Sequence, residues 1–209
     1  LKCLLKTKNI GTDSDQALLL DFQATLETKP EKAIKLEKDA LAQIENITAD
    51  NARLVSNLHA NLGGLYRMNG HPDLAREHME KSISLLDQFN LLHINDSIPQ
   101  IANYAMFLTE QQEPERGISE LQKLSGIIKE YHSDDCLDYA KVQETLGTIY
   151  LMTANLPQAK THFKRAFKIY EKIWADEPEM IEAKYQEIQE LYPQIGFCIG
   201  KNLSGLLTK

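Results

Sequence analysis

Apolar residues recur three and four apart along most of the chain, and the pattern breaks and restarts at regular intervals. That spacing predicts amphipathic helices, since residues three and four apart share one face of a 3.6-residue turn. It places first members of helix pairs (A helices) near 14–28, 49–69, 97–112, 135–153 and 178–192. Second members (B helices) fall near 30–46, 72–91, 114–131 and 157–175. No segment requires a strand, so the predicted class is all-α.

The pattern also repeats. Asn61-Leu62-Gly63-Gly64-Leu65-Tyr66 is echoed 84 positions on by Thr145-Leu146-Gly147-Thr148-Ile149-Tyr150. Half that offset, 42, takes Leu62 forward to Tyr104 and back to Leu20. Thirteen residues after each of these comes a small residue: Ala33, Ala75, Gly117 and Ala159. Four later stands a large one at Met79, Leu121 and Phe163, with Glu37 the exception; three later still come Ala40, Ser82, Leu124 and Ala166. Prolines keep the same period independently. Pro30, Pro72 and Pro114 are 42 apart and Pro157 is displaced by one residue. A proline in the first helical turn loses nothing, because its missing N–H has no partner there. Glu31, Asp73 and Glu115 follow, where a carboxylate meets the positive end of the helix dipole.

Each unit therefore reads as helix A, short turn, helix B. Gly63, Ala105 and Gly147 on A, with Ala33, Ala75, Gly117 and Ala159 on B, let backbones approach closely. Leu62, Gly63, Tyr66, Ala75, Leu146, Gly147, Tyr150, Ala159 and Phe163 are expected to be mostly buried. One helix pair cannot bury its apolar face alone, so neighbours stack into a solenoid. The array is expected over 14–193, as about four helix pairs plus a further A helix. Residues 1–13 fall where the tail of a preceding helix or a cap would lie, and 194–209 read as a C-terminal capping segment. Pro193, Gly196, Gly200 and Gly205 oppose a full-length B helix there, and both ends look cut.

The order Leu-Gly-x-x-Tyr, Ala, large apolar, small resembles the tetratricopeptide repeat. Leu146, Gly147, Tyr150, Ala159, Phe163 and Ala166 fill all six signature places; Leu62, Gly63, Tyr66, Ala75 and Met79 fill five, with Ser82 at the sixth. The units at Tyr104 and Leu20 are degenerate. Family repeats usually run to 34 residues, so a period of 42 lengthens each helix by about a turn. This longer form is similar to the kinesin light chain type, whose inter-repeat loops His132-Ser133-Asp134-Asp135 resembles. The resemblance covers roughly 14–192. It implies an alpha-alpha superhelix that binds a partner peptide or helix on the concave side lined by A helices.

The stripe rotated away from Leu62 and Tyr66 is then the binding face. It carries Asn57, Asn61, Gly64 and Met68, with Arg67 beside it, in the second unit. The third gives Pro99, Asn103, Met106 and Glu110; the fourth gives Lys141, Thr145, Thr148 and Met152, flanked by Glu144. Asn61 and Asn103 stand where, by the resemblance, an asparagine grips a peptide backbone. One amide can both donate to and accept from an extended chain. Methionines along the stripe suit an adaptable apolar surface. A clamp for a two-carboxylate chaperone tail needs cations spread over three A helices. Lys141 and Asn103 fit it, but Leu18, Phe22, Ala60, Gly64 and Thr145 do not.

Composition narrows the classes further. The 209 residues are 43% apolar and 25% charged, enough for a core and typical of a water-soluble protein. No apolar run is long enough to cross a bilayer; Ala17–Leu20, for one, is far too short. A net charge of −7 argues against direct nucleic-acid binding, which needs clustered Lys and Arg. Cys3, Cys136 and Cys198 have neither disulfide nor metal-ligand spacing and read as buried small side chains in a reducing, cytoplasmic setting. His71 and His78, seven apart, are a poor chelate without a third ligand. No phosphate loop, zinc-protease motif or nucleophile elbow occurs. The expectation is therefore no catalysis, metal or cofactor: an interaction module or scaffold, with the sensing or autoregulatory arm of a larger regulator as the alternative.

Overall fold

The structure is a computed structural model and describes residues 12–191. These form nine helices and no strand: α1 (Asp13–Thr25), α2 (Pro30–Leu41), α3 (Ala52–Met68), α4 (Pro72–Gln88), α5 (Ser97–Glu110), α6 (Pro114–Tyr131), α7 (Leu137–Met152), α8 (Leu156–Ile173) and α9 (Pro178–Leu191). The architecture is an all-α helical repeat, with antiparallel pairs α1–α2, α3–α4 and α7–α8 packed partner on partner. Residues 1–11 of the expected tail 1–13, and the capping segment 194–209, with Cys3 and Cys198, lie outside the described residues, while Thr12 and Asp13 cap and open α1.

The prolines mark the helix starts. Pro30, Pro72 and Pro114 each open a helix at its first residue. The displaced Pro157 sits second in α8, which begins at Leu156 behind an Asn155 cap whose side chain accepts from the Gln158 N–H. Helix α2 stops at Leu41 rather than near 46, because Gln43 and Ile44 turn their N–H groups back to Ala40 and Leu41.

The A-to-B turns carry a further period in the backbone itself. Gly70, Gln112 and Ala154, 42 apart, all take left-handed φ values of 73°, 65° and 59°. In each, the N–H of the next residue reaches back over the helix end: His71 to Tyr66 (3.0 Å), Glu113 to Leu108 (2.8 Å) and Asn155 to Tyr150 (2.7 Å). Glycine adopts this conformation freely, whereas Gln112 and Ala154 carry a Cβ that crowds the following carbonyl. Ala154→Gly should therefore raise unfolding stability by about 1 kcal/mol. An unchanged or lowered urea midpoint would count against a strained Ala154.

The chain divides into two compact units, Leu1–Tyr104 and Ala105–Lys209, with the boundary inside α5. In the first, Ala17, Ala40 and Leu58 form a buried cluster capped by Leu20, Leu41, Ile44 and Leu54. At the α3–α4 crossing a Cβ on Gly63 would lie 2.5 Å from Met79 Cγ and 3.3 Å from the Ala75 carbonyl oxygen. In the second unit a Cβ on Gly147 would lie 2.8 Å from the Phe163 ring, and one on Gly117 2.6 Å from the Ala105 carbonyl oxygen. Small residues sit at close crossings, as the repeat predicts. Leu62, Gly63, Tyr66, Ala75, Leu146, Gly147, Ala159 and Phe163 are buried. Two expectations need correcting. Tyr150 is half-buried, because its ring also borders a cavity lined by Pro114, Ile118 and Gln122. Cys136 is half-buried too, since it caps α7, its Sγ accepting from the Tyr139 N–H at 3.4 Å.

Candidate functional site

On the first unit the A-helix face leaves large apolar side chains uncovered. Leu18, Phe22 and Leu26, spaced four apart on α1 and its C-cap, are 50%, 51% and 63% exposed. Their repeat equivalents on α3 are Ala60, Gly64 and Met68, and Met68 is 85% exposed. Between α3 and α5 the face sinks into a cavity of about 210 Å³ lined by Ala60, Gly64, Arg67, Met68, Met79, Ser82, Gln100 and Asn103. A Cβ on Gly64 would meet nothing within 4 Å, so this glycine opens the cavity rather than serving a crossing.

Much of the polar lining is bonded internally. Ser56 and Ser82 both donate to Gln100 Oε1, at 2.8 and 2.6 Å, and Gln100 Nε2 donates to Asn57 Oδ1. Asn57 is thus half-buried in a seam joining α3, α4 and α5. Asn61 is also half-buried, its Nδ2 donating to Asp21 Oδ1 (2.9 Å) and Glu37 Oε1 (3.2 Å). Asn103 is exposed at the cavity rim, with Arg67 half-buried beside it.

On the second unit Met106 is half-buried, and Met152 is uncovered. Thr145 and Thr148 turn their hydroxyls to the carbonyls of Lys141 and Glu144 one turn back, a common use of helical threonine. Lys141 is exposed, 3.6 Å from Asp138. The flanking Glu144 accepts from the Tyr170 hydroxyl (2.6 Å) and pairs with Lys184 (3.0 Å). The eight expected residues therefore lie on A helices, but Asn57, Asn61, Thr145 and Thr148 each make bonds inside the chain.

Sequence reasoning missed a repeated polar pair. His59 and His78 bring their Nδ1 atoms to 2.8 Å, and His78 stacks on Tyr66 with ring centres 5.4 Å apart. At an offset of 84, Gln143 Oε1 lies 2.9 Å from His162 Nδ1, and His162 stacks on Tyr150 at 5.2 Å. Burial holds all three histidines below their usual range, His59 to about 4. The repeat offset that matched Tyr66 to Tyr150 also matches His78 to His162, and could have found the pair. His71 meets edge-on, at 6.1 Å, the same Tyr66 ring on which His78 stacks.

Among the described residues no group of three His, Cys, Asp or Glu converges as a metal site would require, and no helix is long and apolar enough to cross a membrane.

Residues 97–172 match the tetratricopeptide repeat family. No curated protein sequence matches the chain. Among solved structures, BtubC (BKLC) from P. vanneervenii is similar at 19% identity and a TM-score of 0.69, over 87% of this chain and 72% of that one. A Podosopora anserina protein described as a kinesin light chain, with nearly identical TPR-like repeats, matches at 13% identity and 0.66, over 78% and 76%. At these identities the likeness is one of fold.

Proposed function

We infer that this chain, a tetratricopeptide-repeat protein, binds an extended segment or helix of a partner protein on the face built by its A helices. Such repeats generally mediate contacts between proteins. The observation that carries the finer reading is the apolar stripe. Leu18, Phe22, Leu26 and Met68 hold one phase of the repeat and stay open to solvent, and Met68 lines the cavity with Gly64 and Asn103. Grouped exposed apolar side chains on a folded protein mark binding surfaces. The candidate residues remain Asn57, Asn61, Arg67, Asn103, Met106, Lys141, Thr145 and Thr148. Asn103 is the amide best placed to meet a partner backbone, whereas Asn57 and Asn61 help to shape the face.

A displayed library of random peptides, selected on the wild-type chain, supplies the probe. Phe22→Glu with Met68→Glu places two charges on the stripe without touching the core. The pair should weaken the selected peptides about tenfold or more, a loss of about 1.4 kcal/mol. The circular-dichroism melt should hardly move. Lys164→Ala with Lys168→Ala, on exposed positions of α8, should leave affinity unchanged. Peptides that bind the Phe22→Glu, Met68→Glu chain as tightly as wild type would place the binding surface elsewhere.

A further inference from the structure

Glu37 breaks the repeat, standing where the other units put Met79, Leu121 and Phe163. Its side chain is enclosed all the same, at 1% exposure, in a helix packed against both α1 and α3. One oxygen accepts from Asn61 Nδ2, the nitrogen that also serves Asp21 of α1. The other, Oε2, is fully covered and has no donor. Two carboxylates from different helices thus converge on a single amide, with a buried oxygen left bare. Were both ionised, that oxygen would be an unsolvated charge facing a like charge, which buried sites do not sustain. A proton on Glu37 removes both faults, because the acid can donate to Asp21. We propose that Glu37 is held as the carboxylic acid, donating to the Asp21 carboxylate, and that losing its proton loosens the docking of α1 and α2 on α3.

Burial, reinforced by the Asp21 charge and opposed by the Asn61 bond, raises Glu37 from an ordinary 4.5 to about 8. Asp21 is the charged group facing it from α1, while α3 presents the neutral Asn61 amide. On its own helix Lys38 turns away to the Tyr66 ring, 5.6 Å from its centre. The native state therefore holds a proton that the opened state has lost between pH 4.5 and about 8. Stability of the docked pair is full below that window, falls as pH rises through it and levels off above. The window spans neutral pH, so small alkaline shifts change the docking, whatever the A-helix face binds.

Amide exchange of the full chain, corrected for intrinsic rates, tests this across the same window. In wild type, protection in α1 and α2 should fall about tenfold per pH unit and then level off. Glu37→Gln, a neutral isostere, should abolish that slope whatever it does to overall stability. Glu37→Leu, which restores the repeat's apolar side chain, should abolish it too and raise protection at alkaline pH. A wild-type profile as flat as those of the variants overturns the proposal. So does a slope that Glu37→Gln and Glu37→Leu both retain.

Discussion

Gly117→Ala should lower the unfolding stability of the chain, while Gly126→Ala in the same helix should raise it. A Cβ at position 117 would lie 2.6 Å from the Ala105 carbonyl oxygen and 3.2 Å from the Ala105 Cα and carbonyl carbon. All three are backbone atoms, which cannot rotate aside as a side-chain tip can. At Gly63 and Gly147 the nearest atoms belong to the Met79 and Phe163 side chains, so those sites have some give. Overpacking a tight core costs about 1–3 kcal/mol and occasionally more, and a clash with fixed backbone belongs at the upper end. Against it stands about 1 kcal/mol gained by replacing a helical glycine with alanine. Only the gain operates at Gly126, which is exposed and has nothing within 4 Å of an added Cβ. Urea midpoints of the two variants should therefore move in opposite directions. Matching shifts would mean that α5 and α6 do not cross tightly at Ala105 and Gly117.

The helices were legible because two unrelated residue sets kept one period. Hydrophobic spacing gave their faces, and Pro30, Pro72 and Pro114 gave their starts to the residue. The close crossings were legible too, since only a small residue at Gly63, Gly117 or Gly147 fits what the structure places there. Left-handed Gln112 and Ala154 were not, because nothing in a glutamine or an alanine announces a positive φ. Only alignment on Gly70 would have shown it. Position on a helix face was readable from phase, but hydrogen bonding was not. Asn61 has the phase of a binding residue, yet its amide is held by Asp21 and Glu37, which lie 40 and 24 positions away. Glu37 was visible as an exception to the repeat; that it shares an amide with Asp21 needs three helices in place.

The paired histidines make the chain sensitive to acid, and the chain contains its own control. His59 is held to about 4, from an ordinary 6.5, by burial and then by the charges of His78 and Lys81; burial also lowers His78. With both rings neutral, one Nδ1–H donates to the other Nδ1. Protonating the accepting Nδ1 sets two donors face to face. The unfolded chain takes up protons that the native state refuses between pH 6.5 and about 4. This contribution is accordingly full above 6.5 and lost as pH falls through that window. Glu37 acts in the opposite sense over part of the same range, so the wild-type curve alone does not isolate the histidines. A substitution that leaves Glu37 in place does. His59→Gln reproduces the arrangement at Gln143 and His162, where an amide oxygen lies 2.9 Å from the histidine nitrogen. An amide has no proton to gain in this range. The stability lost between about pH 7 and pH 5 should shrink by roughly 1–2 kcal/mol relative to wild type, while His78 and His162 still titrate in both proteins. Urea midpoints at the two pH values measure the difference. If His59→Gln loses as much stability on acidification as wild type, the His59–His78 contact is not what acid breaks.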